Sequence, residues 1–432
     1  MSQQALYQAP KGTVDLWGKT ALAWEYLGRT ATEVFTRYGY GPVYTPIFEA
    51  TDVFARGIGA ATDVVNKEMY AFKDRSGRNL CLRPENTAGV VRAAIQENFL
   101  GDGGVAKLYY AGPMFRYERP QKGRQRQFYQ IGAEALGVTA PEADAEMILM
   151  LWEYFRTLGL PEERMTLLVN SMGCNECRPA YRKELADYLR ARQDDLCPEC
   201  QARTRTNPLR AFDCKKAQCV KVLADAPKLI DMLCDDCATY QTYVDYLLER
   251  EGLTYTLDPT LVRGLDYYSR TVFEIQVDDG LGAQNALGGG GRYDGLFEQL
   301  GGKPTPSIGF AIGFERVLLA LEAAGVELPL DSGAAVYVMA TEDSLRDSAF
   351  ELTQDLRRAG ISALCDLQSK SLKAQFKIAD RLGAPMVLII GPDEVAAGQV
   401  RLRNMETREE ELIDRRNVDF QLPMMLTTSV II

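Results

Sequence analysis

Hydrophobic positions in this chain follow two different periods, and the change from one to the other marks out its parts. Over Ala21–Tyr38 they return at helical spacing, whereas Lys107-Leu108-Tyr109-Tyr110 and Gln127-Phe128-Tyr129-Gln130-Ile131 have the short, aromatic-rich texture of strands. Strand-type sequence returns at Thr271–Val277, so one α+β sheet domain is expected on both sides of the middle of the chain. That middle, about 170 to 255, changes to cysteine pairs and charged helical segments, including Ala180–Arg192 and Thr239–Glu251, and reads as an inserted helical module.

After Arg316 an apolar helix is predicted to about Ala324, followed by a linker over Gly325–Gly333. A βαβ pattern then begins, with strands at 335–339 and Val387–Ile390 and helices near Ser344–Ala359 and Ser371–Leu382, which predicts a small, largely parallel sheet. The expected division is 1–169 with 256–325 as one sheet domain, 170–255 as the insertion, and 334–425 as a C-terminal α/β domain.

Composition narrows the function classes. With 432 residues, 46% hydrophobic and 25% charged, the chain can build two or three cored domains, which excludes disorder as its main state. Met1–Asp15 has no apolar core behind a basic start, and no later stretch runs eighteen residues without charge, so a cytoplasmic protein without membrane insertion is expected. A formal charge of −10 argues against nonspecific coating of nucleic acid but leaves room for local basic patches. The chain has no histidine, which removes Ser-His-Asp triads, imidazole bases and mixed Cys/His metal sites. Its chemistry must rest on carboxylates, arginines, tyrosines and bound ions.

Of ten cysteines, Cys81 and Cys365 stand alone and read as core residues. The other eight form four close pairs: Cys174-x2-Cys177, Cys197-x2-Cys200, Cys214-x4-Cys219 and Cys234-x2-Cys237. In a reducing compartment that spacing suits two zinc sites of four thiolates, or else reduced thiols packing inside a small helical module, and the grouping is not legible. Arg203, Arg205, Arg210, Lys215 and Lys216 lie in the same module, as a nucleic-acid contact or as solvated surface charge.

The segment Arg116-Tyr117-Glu118-Arg119-Pro120-Gln121-Lys122-Gly123-Arg124-Gln125-Arg126 lies between two strand-like runs and holds five cations and one acid. It reads as a hairpin whose guanidinium groups can grip phosphate oxygens bidentately, the alternative being a solvated loop. In the C-terminal domain Lys370, Lys373, Lys377 and Arg381, spaced three, four and four apart, build a basic ridge on a helix anchored by Leu372, Phe376 and Ala379.

These residues carry a close resemblance to a known family. Phe115-Arg116-Tyr117-Glu118 resembles motif 2 of the class II aminoacyl-tRNA synthetases, Gly309-Phe310-Ala311-Ile312-Gly313-Phe314-Glu315-Arg316 resembles motif 3, and Pro46 stands where motif 1 has its proline. Three further segments are similar to ones peculiar to the histidyl-tRNA synthetases, bacterial type: Leu82-Arg83-Pro84-Glu85-Asn86-Thr87, Leu261-Val262-Arg263-Gly264-Leu265-Asp266-Tyr267-Tyr268 and Leu287-Gly288-Gly289-Gly290-Gly291-Arg292-Tyr293-Asp294-Gly295. The likeness runs from about Lys11 through the C-terminal domain, in family order and spacing.

The resemblance implies a class II antiparallel-sheet catalytic domain, an anticodon-binding C-terminal domain, a homodimer built across motif 1, and ATP-dependent joining of L-histidine to tRNA(His). It implies that Arg116, Glu118, Arg124, Phe128 and Arg316 hold ATP, with magnesium neutralising phosphate charge. Glu85, Asn86, Thr87, Gln130, Glu134, Arg263, Tyr267 and Tyr268 would surround histidine, and Arg116, Arg263 and Arg316 would act on the reacting phosphate. Gln121 and Arg126 would meet the tRNA acceptor end, and Lys370, Lys373 and Lys377 its backbone elsewhere. Tyr117, Gln125 and Tyr129 depart from the family's frequent His, Tyr and His. Synthesis when histidine is scarce, or deliberate recoding, would each explain a histidine-free composition.

Overall fold

The computed structural model describes residues 6–59, 62, 64–262, 267–278, 285–330 and 335–428. The chain divides into two units, Met1–Leu328 and Pro329–Ile432, each with its own sheets.

In the first unit Gly18–Arg37 (α1) buries Leu27, Ala31, Val34 and Phe35, the i, i+4, i+7, i+8 stripe of a helix lying on a core. Gly41–Pro42 (β1) follows. Phe48–Ala50 (β2), Ala71–Lys73 (β3) and Asn79–Leu82 (β4) then form a small sheet in the order β2-β4-β3, with Thr51–Ile58 (α2) after its first strand. Thr87–Gln96 (α3) leads into a long antiparallel hairpin, Ala106–Phe115 (β5) and Gln127–Leu136 (β6), paired from Ala106 opposite Leu136 to Phe115 opposite Gln127. Next come Glu142–Thr157 (α4) and Met165–Ser171 (β7).

The cysteine-rich stretch builds Cys177–Arg190 (α5), Pro198–Thr206 (α6), Ala217–Ala224 (α7) and Asp235–Arg250 (α8) before Thr256–Leu257 (β8) re-enters beside β7. Ser269–Val277 (β9), Ala286–Arg292 (β10), Leu296–Gln299 (α9), Ser307–Gly313 (β11) and Phe314–Ala323 (α10) complete the unit. The large sheet has the order β1-β5-β6-β11-β10-β9-β7-β8, antiparallel throughout except at its two edge pairs.

Strand alternation gives this sheet two unlike faces. Ile131, Ala133 and Ala135 of β6, Phe273, Ile275 and Val277 of β9, and Ile308, Phe310 and Ile312 of β11 join the apolar faces of α1, α4 and α10 in one core. The intervening residues, Phe128 and Gln130, Glu274 and Gln276, Gly309 and Ala311, face the other way and line a cavity.

The second unit runs Val336–Ala340 (β12), Arg346–Arg358 (α11), Ala363–Cys365 (β13), Leu372–Leu382 (α12), Met386–Ile390 (β14), Pro392–Ala397 (α13), Gln399–Asn404 (β15), Glu410–Asp414 (β16) and Val418–Thr428 (α14). Its sheet order is β13-β12-β14-β15-β16, parallel over the first three strands and antiparallel over the last two. The expected largely parallel sheet is therefore mixed. Arg401 and Arg403, paired with Glu394 and Glu410 at 2.6 and 2.9 Å, alternate with buried Val400 and Leu402, and this charged outer face hides β15 from a search for apolar runs. Cys81 is a core residue as expected, whereas Cys365 is only half-buried. Among the described residues no helix is long and apolar enough to cross a membrane.

One ion pair ties the large sheet to α4. Arg292 ends β10 with its side chain 1% exposed and bonds through Nε and Nη2 to Asp144, which is fully buried, while its Nη1 donates to the carbonyl oxygen of Val138 at 2.6 Å. Arg292→Met leaves Asp144 unpaired in the core and is expected to cost about 3–5 kcal/mol, as for other broken buried pairs. Replacing both, Asp144→Leu with Arg292→Met, should restore most of that loss in denaturant unfolding.

Candidate active site

The cavity encloses about 540 Å³ and rests largely on backbone, because the strands beneath it are rich in glycine. Gly288 and Gly289 of β10 and Gly309, Ala311 and Gly313 of β11 form its floor. A Cβ on Gly309 would fall 1.8 Å from Glu134 Oε2, and one on Gly290 1.9 Å from the Gly309 carbonyl oxygen, so only glycine fits at these crossings.

The basic hairpin closes one side. Arg116, just past β5, donates through Nε to the Pro84 carbonyl oxygen at 2.9 Å, and its guanidinium carbon lies 5.2 Å from the Phe128 ring centre. Gly123 turns the loop with φ +72° and brings it against Leu319 and Arg316 of α10. Arg124 pairs with Glu118 at 2.8 Å. Arg116, Glu118, Arg124, Phe128 and Arg316 all line the cavity, so the five expected ATP contacts are together. Glu315, beside Arg316 in the first turn of α10, accepts the Tyr129 N–H at 3.0 Å, and burial raises its carboxyl to about 7.

The opposite side is built by α3, β6 and the approach to β9. Glu85 accepts the backbone N–H groups of Thr87 and Ala88 at 2.6 and 3.1 Å, capping the first turn of α3, and burial raises its pKa despite those bonds. Glu85, Thr87, Gln130, Tyr267 and Tyr268 line the cavity, the two tyrosine rings being 4.8 Å apart. Glu134 lies just behind them, fully buried, accepting hydroxyl hydrogens from Thr87 at 2.7 Å and Tyr293 at 2.5 Å. Burial raises its carboxyl to about 8, against the lowering effect of those two bonds. Arg263 lies outside the described residues.

Two expected contacts are placed elsewhere. Asn86 is buried behind the wall, its Oδ1 accepting from Thr45 at 2.5 Å and Arg83 at 3.4 Å. Arg126 turns into its own loop, stacked 4.1 Å over Tyr117 and donating to the Glu118 carbonyl oxygen, while Gln121 stays exposed at the hairpin tip. Tyr129 packs against Trp24 and Phe314 on the core face of the sheet, away from the reacting groups.

Other lining residues had no cavity role in the sequence reading: Tyr293, Glu274, Gln276, Gln125 and Asp213, together with Lys215, which was read as a nucleic-acid contact or as solvated charge. For Glu274 there was a signal, since an acid flanked by apolar residues inside a strand takes the opposite face to Phe273 and Ile275. Asp213 and Lys215 reach the cavity from the insertion, and their placement has no local signature.

The eight paired cysteines gather into two groups: Cys174, Cys177, Cys234 and Cys237, and Cys197, Cys200, Cys214 and Cys219. In each group all four sulfurs lie within 4.8 Å of one another, with separations such as 3.6 Å for Cys174–Cys234 and 3.9 Å for Cys197–Cys214. A tetrahedron with zinc–sulfur bonds of about 2.3 Å has edges of about 3.8 Å.

A family model described as histidyl-tRNA synthetase matches residues 12–317, and one described as an anticodon binding domain matches 334–419. A histidine–tRNA ligase of Halothermothrix orenii is 47% identical over 403 residues, 93% of this chain and 96% of that protein. One of Moorella thermoacetica is 48% identical over 406 residues, 94% and 95% of the two chains. The solved structure of apo S. aureus histidyl-tRNA synthetase is similar with a TM-score of 0.82 and 37% identity, covering 96% of this chain and all of that one.

Glu134 makes this site pH-sensitive. Its carboxyl is protonated at neutral pH in the folded chain and ionised in the unfolded chain, so its contribution to stability is complete below the ordinary glutamate range, near about pH 4.3, and is lost as pH rises through about 8. Unfolding free energy should fall between about pH 4.3 and 8 and level off above that, and Glu134→Gln should flatten that slope when denaturation curves are compared across the range.

Proposed function

The chain belongs to the histidyl-tRNA synthetase family, and from that premise we propose that its glycine-floored cavity activates L-histidine with ATP and passes it to the 3′ end of tRNA(His). The overall reaction is that of an aminoacyl-tRNA ligase, releasing AMP and pyrophosphate. One observation carries the assignment of the site: a single cavity is walled by Arg116, Arg124 and Arg316 and also by the buried Glu85, Tyr267 and Tyr268. A polyanion and a small polar side chain can be bound within one space.

In the first step a carboxylate oxygen of histidine attacks the α-phosphorus of ATP, the bond to the β-phosphate oxygen breaks, and pyrophosphate leaves. Arg116, held in place by the Pro84 carbonyl and the Phe128 ring, would meet the α-phosphate, where charge builds in the transition state. Arg316 and Arg124 would hold the terminal phosphates, and Phe128 would stack on adenine. Arg263 takes a share of the α-phosphate on the strength of its motif alone. The Glu274 carboxylate, whose Oε1 accepts from Gln276 at 2.7 Å, belongs to a residue of the same wall and is the kind of hard oxygen donor that would hold a magnesium ion neutralising phosphate charge.

Histidine is selected by polar pairing. Glu85 and the tyrosine hydroxyls can bond the two imidazole nitrogens, with Gln130 and Thr87 beside them and Glu134 acting through Thr87 and Tyr293. A side chain lacking ring nitrogens would leave these buried groups unpaired. In the second step a hydroxyl of the terminal ribose attacks the adenylate carbonyl and AMP departs.

The remaining assignments follow the same reading. Lys373 and Lys377 on α12, and Lys370 just before it rather than on it, are exposed and suit tRNA phosphates. Tyr44, Ile47, Phe48 and Phe72 expose apolar surface around the motif 1 segment, which supports a homodimer. The division into 1–169 with 256–325, 170–255 and 334–425, and a cytoplasmic location, are retained. Both sulfur clusters are read as zinc sites, because their separations match a tetrathiolate and backbone N–H groups point at sulfur, from Cys174 to Cys177 at 3.1 Å and from Cys197 to Cys219 at 3.2 Å.

Pyrophosphate exchange into ATP, run without tRNA for each of the twenty amino acids, should occur with histidine alone; exchange with none by folded protein would overturn the assignment. Arg263→Ala should slow adenylate formation by about a hundredfold or more with a smaller effect on ATP binding. Metal analysis of protein purified without chelator should find two zinc per chain, and less than half an equivalent removes the zinc reading.

A further inference from the structure

The insertion touches the cavity at a segment inside its second sulfur cluster. Asp213 and Lys215 line the cavity, and the residue between them, Cys214, contributes one of the four gathered sulfurs. The backbone at Cys214 is extended, φ −73° and ψ 130°, so neighbouring side chains leave on opposite sides. With Cys214 turned into the cluster, the flanking residues turn to the cavity. Residues 214–216 belong to no helix or strand. What holds them is the cluster, together with the short turn Pro208–Asp213 before it and α7 after it.

The first cluster differs. Cys177 opens α5 and Cys234 caps α8, so it staples the entry of the insertion to its exit. Among the described residues, none adjacent to its cysteines lines the cavity. The two clusters thus divide the work: one closes the module, the other presents a cation.

We propose that zinc in the Cys197/Cys200/Cys214/Cys219 cluster holds Lys215 at the catalytic cavity as a phosphate-binding residue, so that the rate depends on a metal that touches neither substrate. The inference rests on the reading of the clusters as zinc sites and of the cavity as the site of activation. A lysine is a compact point charge on a flexible stem, and it is effective at a site only when its backbone is fixed there. Lys215 is exposed, so burial of its side chain does not supply that restraint. The phosphate is either one of ATP or the phosphodiester nearest the tRNA terminus, and the two steps of the reaction separate them.

Lys215→Met, an exposed substitution, should keep two zinc per chain and slow one step about tenfold or more, the scale of a lost hydrogen bond to a charged group. Slower pyrophosphate exchange identifies ATP; unchanged exchange with slower transfer identifies the tRNA end; Lys215→Arg should recover part of either. Cys214→Ser should lose one zinc and slow the same step, and the double variant should be no slower than the worse single one. Lys183→Met, 83% exposed on α5, is the control expected to change neither step. Unchanged exchange and transfer in Lys215→Met, or effects that multiply in the double variant, overturn the inference. Absence of zinc from the unaltered protein removes the metal reading instead, and exchange with no amino acid removes the activation reading, so the three failures are distinguishable.

Discussion

The close approach of bare backbone between β10 and β11 is the constraint on which the rest of the site depends. Gly291 pairs with Gly309 and Gly290 with Phe310, and at Gly290 and Gly309 a single methyl would collide with the neighbouring strand or with Glu134. Because Gly309 has no side chain, the Glu134 carboxyl can lie over it and receive the Thr87 and Tyr293 hydroxyls. Thr87 begins α3, whose first turn is capped by Glu85. The sheet, the helix and the pocket are therefore one hydrogen-bonded assembly.

That assembly holds two buried acids, Glu85 and Glu134. Burial raises the pKa of both Glu85 and Glu134, while the guanidinium groups are contributed by the hairpin and α10. The separation follows from the elements that supply the groups: carboxylates come from a helix N-terminus and a strand centre, where backbone N–H and hydroxyl donors compensate them, and arginines come from a loop and a helix end near solvent.

Much of this was legible in the sequence because it is local or carried by motif. The β5–β6 hairpin and the arginines of its loop were readable from spacing alone. Long-range facts were not. Which cysteines gather depends on how α5 and α8 bring residues 174 and 234 together, and the Arg292–Asp144 pair joins positions far apart in sequence. Asn86 and Arg126 had the right residue type in the right motif, but neighbouring donors and a tyrosine ring claimed their side chains. Residue identity names a candidate, and packing decides where it points.

The strand order carries one consequence for biosynthesis. Residues 130–136 of β6 find their second neighbour only in residues 307–313 of β11, so the middle of the sheet waits for nearly the whole first unit to leave the ribosome. Until then the β5–β6 hairpin has an unpaired inner edge, a template for the wrong strand. The module emerging in that interval is the cysteine-rich one, whose sulfur-to-sulfur contacts all fall between residues 174 and 237. Its two sulfur groups need no residue outside it, so the contacts that gather them are all available while the edge is still open.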